Sequence, residues 1–189
     1  MRIIASPDAF GDRPCVLAMG KFDGVHRGHQ AVLHEAVRIA KARGIESVAL
    51  TFDRHPSAMT GAGPVPEALT PISEKGELIE HLGIDCLIVC AFTRALMAME
   101  PDDFLRMIQE KLHPAAIVFG ENFTFGRGAR GDGQLLGQLA GPLGYEAIQV
   151  PMLIVDGDWA SSTRARQLIG AGDYGAASRV LGRDTKGEG

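Results

Sequence analysis

Apolar runs alternate along this chain with stretches of helical periodicity. Five short runs are apolar at nearly every position, which is typical of strands buried on both faces; they span residues 15–19, 47–52, 86–92, 115–119 and 147–151. Apolar residues at helical spacing, bounded by Gly or Pro, predict helices over residues 29–43, 72–82, 101–112, 133–143, 162–169 and 174–181. Ser73 is a candidate N-cap for the second of these helices.

Strands that alternate with helices predict an α/β fold, a Rossmann-like doubly wound parallel sheet of about five strands. Ligands bind such sheets beyond the carboxyl ends of the strands, so the loops after the strands should carry the chemistry. We expect one domain over residues 14–183, preceded by an N-terminal segment over 1–13 and followed by a polar tail over 184–189. Residues 60–71, rich in Pro, Gly and Thr, are expected to form a surface loop over the site.

Composition and charge narrow the classes of function. The 189 residues include 19 Lys and Arg against 23 Asp and Glu, and this net charge of −4 argues against bulk binding of nucleic acid. No uncharged apolar run approaches the ~18–20 residues of a membrane span, and the N-terminus lacks the apolar core of a signal peptide. Three cysteines without close spacing argue against a disulfide framework or a zinc cluster. These features predict a cytoplasmic protein with no membrane partner, whose anion sites are local.

The most informative stretch, GKFDGVHRGHQ at residues 20–30, follows the first strand. His26 and His29 flank a glycine at a predicted helix start, where free backbone N–H groups attract phosphate. Two imidazoles there could donate hydrogen bonds to a phosphate as its charge grows. Gly28 lacks a Cβ, which would let a phosphate approach closely. A phosphate site is favoured over a plain helix cap, and over zinc because the other histidines are scattered.

A second candidate anion site, SSTRAR at residues 161–166, lies near the C-terminus. Hydroxyls at a helix start followed by arginines could clamp a phosphate, although the same residues commonly just cap a helix. The segment GRGARG at residues 126–131 matches the dinucleotide pattern GxGxxG. It does not follow its strand directly and it lies late in the chain, so a dinucleotide site is not favoured. Arg127 and Arg130 could contact a phosphate or lie solvated at the surface.

The two motifs together resemble the HxGH and ISSTxxR signatures of the nucleotidylyltransferase superfamily. The chain more closely resembles the bacterial bifunctional riboflavin kinase/FAD synthetase in four segments of the same order: residues 20–30, TFDRHP at 51–56, GENFTFG at 120–126 and SSTRARQLIG at 161–170. The resemblance covers the adenylyltransferase module of that family. It implies transfer of AMP from ATP to FMN, giving FAD and pyrophosphate, with Mg²⁺ accompanying ATP.

The resemblance also implies which residues form the site. The catalytic residues would be His26, His29 and Arg166. The residues that bind ATP would be Gly20, Lys21, Phe22, Gly28, Gly120, Glu121, Ser162, Thr163 and Arg166. The residues that bind FMN would be Asp23, His55, Asn122 and Phe125. No side chain is assigned to the metal, because Mg²⁺ is commonly held by phosphate oxygens.

Some positions depart from the family pattern. The kinase module of the family would follow near residue 183, whereas this sequence stops at Gly189, so a separate riboflavin kinase is expected to supply FMN. Residues 57–60 lack the aromatic that usually follows the His-Pro pair, Ala160 replaces an apolar Ile, and Arg54 replaces a usual Pro. Two alternatives therefore stay open. The acceptor could be another phosphate monoester, such as a nicotinamide or pantetheine phosphate, or the chain could be a non-catalytic nucleotide- or flavin-binding paralogue.

Overall fold

The centre of the molecule is a parallel sheet built from the continuously apolar runs. A computed structural model describes residues 1–54 and 66–185. The six strands are β1 (Arg2–Ile4), β2 (Cys15–Met19), β3 (Glu46–Phe52), β4 (Cys86–Cys90), β5 (Pro114–Gly120) and β6 (Glu146–Val150). Their order is β1-β4-β3-β2-β5-β6, and every adjacent pair is parallel. A separate antiparallel pair, β7 (Ile154–Val155) and β8 (Asp158–Trp159), follows the sheet.

Helices connect the strands and follow the last of them. They are α1 (Arg27–Arg43), α2 (Ile72–His81), α3 (Arg94–Ala98), α4 (Pro101–Leu112), α5 (Gly133–Leu143), α6 (Ser162–Gly170) and α7 (Tyr174–Leu181). Helix α1 ends at Gly44, whose φ of 64° is a left-handed conformation that glycine adopts without a steric penalty. The expectation that Ser73 caps α2 is wrong, because the last residue with extended backbone is Pro71 and Ser73 already lies in the first helical turn.

Two apolar layers hold the helices against the sheet. Helices α1 and α2 pack on one face, where Val16 and Ala18 of β2 meet Leu33 and Ala36 of α1. Helices α4 and α5 pack on the other face; there the buried cluster includes Leu17, Met19, Leu50, Leu105 and Leu136. Each fully buried Leu or Ile contributes about 1.5–3 kcal/mol relative to exposure. Helices on both faces of a parallel sheet confirm the predicted doubly wound, Rossmann-like fold.

Strand order positions a crevice beside β2. From β2 the chain winds outward through β3 to β4, and it then crosses back to β5 and β6 on the opposite side of β2. The loops after β2 and β5 therefore leave the sheet in different directions, and their divergence opens a crevice at the carboxyl ends of these strands. The segments beginning at Gly20 and Gly120 are these two loops.

The structure contains elements that the sequence pattern did not predict. Strand β1 is a sixth strand at the edge of the sheet, where Ile3 pairs with Leu87. Three residues are too few to show a period, which is why residues 1–13 were expected only as an N-terminal segment. The short helix α3 and the β7–β8 hairpin were missed for the same reason. Within residues 1–54 and 66–185, no helix is long and apolar enough to cross a membrane.

Candidate active site

The loop between β2 and α1 makes an unusually tight turn. Phe22 adopts φ 48° and ψ 32°, a left-handed conformation that costs a non-glycine residue on the order of 1–3 kcal/mol. Its ring is buried and lies edge-on against the His29 ring, with centroids 5.4 Å apart. A Cβ at Gly20 would stand 2.7 Å from the Phe22 ring, so this position has no room for a side chain. Packing thus holds the backbone of residues 20–22 along the crevice.

The two histidines of this loop form a stacked pair. The His26 and His29 ring centroids are 3.6 Å apart, and the ring planes are inclined by 25°. His26 caps α1, because its Nδ1 accepts a hydrogen bond from the His29 backbone N–H at 3.4 Å. Neutral His26 therefore carries its proton on Nε2 and presents that N–H as a donor. The buried Nδ1 of His29 has no hydrogen-bond partner in the part of the chain that the structure describes.

Gly28 makes room for this arrangement. A Cβ at this position would lie 3.1 Å from the His26 ring, which is tighter than ordinary van der Waals contact. The sequence suggested that Gly28 gives space to a phosphate. The structure adds that it gives space to the imidazole beside it.

Burial keeps both imidazoles neutral at neutral pH. Desolvation lowers the pKa of His26 to about 4, although the nearby Asp23 carboxylate opposes the shift. The pKa of His29 lies well below its usual value, chiefly because of burial and further because a protonated His26 and the Lys75 ammonium repel a positive charge on its ring. Each ring can therefore act as a hydrogen-bond donor through its single N–H at neutral pH.

The second motif meets the first through direct contacts. Ser162 Oγ donates a hydrogen bond to the Asp23 carbonyl oxygen at 2.9 Å, between positions 139 residues apart in sequence. The Arg166 guanidinium forms an ion pair with the buried Asp23 carboxylate. Its Nε also donates to the Glu67 carbonyl oxygen at 2.8 Å. The Arg166 charge is thus balanced by a carboxylate at the edge of the cleft.

Helix α6 and the hairpin before it are joined by a second arginine. Ser161 caps α6 by accepting a hydrogen bond from the Arg164 backbone N–H at 3.2 Å. The Arg164 side chain donates to the carbonyl oxygens of Val155 at 2.6 Å and Asp158 at 2.9 Å. This arginine therefore holds the β7–β8 hairpin against the start of α6.

The loop after β5 supplies the far wall of the cleft. The Glu121 carboxylate accepts a hydrogen bond from the Met152 backbone N–H at 3.1 Å. Phe125 pairs with Gly131 in an isolated antiparallel bridge, which closes the loop on itself. The rings of Phe123 and Phe125 stack with centroids 5.7 Å apart. One polar and one aromatic surface thus come from a single loop.

A cleft of about 670 Å³ joins these loops. Fourteen of the residues expected at the site line it: Gly20, Lys21, Phe22, Asp23, His26, Gly28, His29, Gly120, Glu121, Asn122, Phe125, Ser162, Thr163 and Arg166. The remaining expected residue, His55, lies outside the described residues, as does the first half of the segment 60–71, residues 60–65. The convergence of the two motifs on one cleft, expected from sequence, is therefore present in the fold.

The cleft also has an apolar end that the sequence interpretation missed. It is lined by Leu50, Phe52, Phe92, Leu96, Met97 and Phe123. Phe52 and Phe92 meet edge-to-face with centroids 5.3 Å apart. Both residues lie at or just beyond the carboxyl ends of strands, and this position was the available signal. Residues 57–60 contain no aromatic side chain, whereas these two phenylalanines place aromatic rings in the cleft.

The GxGxxG segment has a local structural role. Arg127 donates a hydrogen bond to Glu100 Oε1 at 3.0 Å, and Arg130 forms an ion pair with the same carboxylate. Both arginine side chains are more than half exposed, at 63% and 58%. The surface interpretation of these arginines therefore fits the structure, and their shared carboxylate ties the loop to the start of α4.

Comparisons with known proteins agree with this geometry. The family model described as FAD synthetase matches residues 10–164. A bifunctional riboflavin kinase/FMN adenylyltransferase of Listeria monocytogenes is 34% identical over 93% of this chain, and the chain spans 56% of that protein's length. A FAD synthetase of the same organism is 35% identical over 90% of the chain and 69% of its own length.

A solved structure shows the same fold. The crystal structure of a macrolide-efflux protein from Streptococcus pneumoniae superposes with a TM-score of 0.85 at 24% identity, covering 96% of this chain and 61% of that one. At this identity the likeness concerns the fold alone.

Proposed function

This chain belongs to the FAD synthetase family, and from that premise we propose that it is an FMN adenylyltransferase. The reaction moves AMP from ATP to FMN and gives FAD and pyrophosphate. One observation carries the proposal: a single cleft has a polar end, with stacked histidines beside the Ser-Ser-Thr helix start, and an aromatic end of a kind that suits a flat ring system.

Adenylyl transfer needs no nucleophile from the protein. A phosphate oxygen of FMN attacks the α-phosphorus of ATP in line and forms a new P–O bond. The bond from that phosphorus to the bridging oxygen breaks, and its electron pair leaves with pyrophosphate. Because a phosphate monoester is largely ionised at neutral pH, no strong general base is required. Catalysis then rests on orientation and on stabilisation of the growing charge.

We assign the histidines to the α- and β-phosphates of ATP, with His29 nearest the developing charge. The pKa of each imidazole is depressed by burial. An arriving phosphate brings negative charge, which favours the protonated form and strengthens the hydrogen bonds that the rings donate. Lys21 and Phe22 line the same end of the cleft and would offer backbone N–H groups to the α-phosphate.

The start of α6 would hold the leaving pyrophosphate. Ser162, Thr163 and Arg166 line the cleft there, and the first turn of a helix offers free backbone N–H groups. For this role Arg166 must exchange the Asp23 carboxylate for phosphate oxygens. Such an exchange replaces one anionic partner by another, so the guanidinium remains paired throughout.

The loop after β5 would orient both substrates. Gly120 and Glu121 would lie near the ribose of ATP, and Asn122 and Phe125 would lie toward the flavin. The aromatic lining of Phe52, Phe92 and Phe123 supports a flavin acceptor over a pantetheine phosphate, because an isoalloxazine ring stacks on such rings. The assignments of Asp23 and His55 to the FMN phosphate remain predictions.

Mg²⁺ would enter with ATP and screen the charge of its phosphates. Among residues 1–54 and 66–185, no three His, Cys, Asp or Glu side chains form a group that could hold a metal ion. Mg²⁺ beside a nucleotide is usually held mainly by phosphate oxygens and water. A cytoplasmic location remains a prediction from the sequence.

The test is direct. The protein is mixed with ATP, Mg²⁺ and FMN; flavin fluorescence should fall as FAD forms, and pyrophosphate should be released in equal amount. Parallel reactions with nicotinamide mononucleotide and with phosphopantetheine identify a different acceptor if pyrophosphate appears only there. Tight FMN binding without product would instead indicate a non-catalytic binding protein.

A further inference from the structure

A lysine is buried beneath the phosphate-facing loop. Lys75 on α2 is only 6% exposed, although lysine is almost never fully buried without a partner. Its Nζ donates a hydrogen bond to the carbonyl oxygen of Lys21 at 3.0 Å. Packing alone does not explain a lysine at this buried position, because an apolar side chain of the same length would fill the space without burying an amine.

The Lys21 carbonyl oxygen accepts a second hydrogen bond. Thr51 at the end of β3 is fully buried, and its Oγ1 donates to the same oxygen at 2.8 Å. No peptide bond in the described residues is cis. In a trans peptide the N–H points opposite to the carbonyl, so the Phe22 N–H points away from Thr51 and Lys75. Lys21 and Phe22 both line the cleft, and within residues 1–54 and 66–185 this N–H has no hydrogen-bond partner.

Charge around the lysine links it to the histidines. The Asp23 carboxylate attracts the Lys75 ammonium and offsets part of the pKa decrease that burial causes. The ammonium in turn is close enough to His29 to lower the pKa of that imidazole. Lys75 thus lies on the carbonyl side of the Lys21–Phe22 peptide and close to His29.

We propose that Lys75 is a positioning residue for adenylyl transfer, which fixes the Lys21–Phe22 peptide so that the Phe22 N–H faces the α-phosphate of ATP. This inference rests on the proposed function. Thr51 shares the task, because its Oγ1 donates to the same Lys21 carbonyl oxygen. Together the two donors hold a left-handed turn that Phe22 would otherwise leave, and they polarise the amide that receives the developing charge.

The test compares Lys75→Met with the parent protein. The variant should keep its melting temperature, because Thr51 still satisfies the Lys21 carbonyl, and it should bind FMN as the parent does. Its kcat for FAD formation should fall about 10- to 100-fold, since small displacements of a positioned group have effects on this scale. Lys111→Met is the matched control, because Lys111 is paired with Asp8 at the amino-terminal side of β5.

A second variant and a double variant sharpen the test. Thr51→Val should lower kcat in the same way, and the double variant should lose more than the product of the single losses, because the carbonyl then has neither donor. If Lys75→Met does not fold, the kcat of Thr51→Val alone tests whether the hydrogen bonds to the Lys21 carbonyl oxygen position the peptide. Parent-like kcat in the folded single variants overturns the positioning role. Absence of FAD formation by the parent protein overturns the proposed function itself, and the inference with it.

Discussion

The two buried histidines should make the stability of this protein depend steeply on pH. The pKa of His26 is about 4 in the folded state, against 6.5 for an exposed histidine. The unfolded chain therefore binds the proton more tightly than the folded one. The stabilisation is fully present above about pH 6.5 and is lost as the pH falls from there toward 4.

The size of the effect follows from the two pKa values. One pKa unit corresponds to about 1.4 kcal/mol, so the His26 contribution to the free energy of unfolding decreases by about 2 kcal/mol between pH 8 and pH 5. The limit at still lower pH is about 3 kcal/mol, from the whole difference between the two values. Burial of His29 acts in the same direction.

Urea unfolding of the parent and of His26→Asn at pH 5, 6, 7 and 8 measures this contribution. Asparagine can still cap α1, so the helix start is preserved while the titrating group is removed. The carboxylates titrate in both proteins and cancel in the difference. We expect the parent to lose about 2 kcal/mol more than the variant between pH 8 and pH 5. His34→Gln, an exposed position on the same helix, controls for the loss of a histidine as such.

Equal pH dependence in the parent and in His26→Asn would refute the reasoning. It would mean that the His26 ring is as well solvated in the folded state as in the unfolded chain. The stacked, desolvated pair would then not describe the cleft in solution.

Three further substitutions test the remaining parts of the site. His29→Ala should lower kcat by about 10²–10³, the scale for one lost donor to a developing oxyanion, and turnover near that of the parent would exclude this role. Arg166→Ala should weaken ATP binding measured by calorimetry and also slow turnover; an unchanged ATP affinity would put the pyrophosphate clamp elsewhere. Arg164→Ala should lower the free energy of unfolding by about 1–3 kcal/mol, because two carbonyl oxygens of the hairpin lose a charged donor. Thermal unfolding measures the loss of stability, and unchanged hydrogen exchange in the hairpin would contradict the role of Arg164 in holding it.

Much of the fold could be predicted because its information is local. A run such as residues 15–19 is apolar at every position, and a helix such as α4 has Pro at its start and apolar residues at helical spacing. These patterns arise from burial against a neighbouring layer and are visible without knowing which layer it is. Strand β1 could not be found this way, because three residues gain their stability from pairing with β4 and not from their own sequence.

The two candidate phosphate-binding motifs were also visible in the sequence. Histidines or hydroxyls at the start of a helix indicate a phosphate site wherever that helix lies in the fold. The sequence could not determine their environment. The pairing of Arg166 with Asp23, the aromatic end of the cleft and the burial of Lys75 all depend on contacts between distant segments. Desolvation and pairing are properties of the surrounding atoms. The protonation state of the histidines and the direction of the Phe22 N–H therefore depend on the tertiary structure, in which the strands bring those segments together.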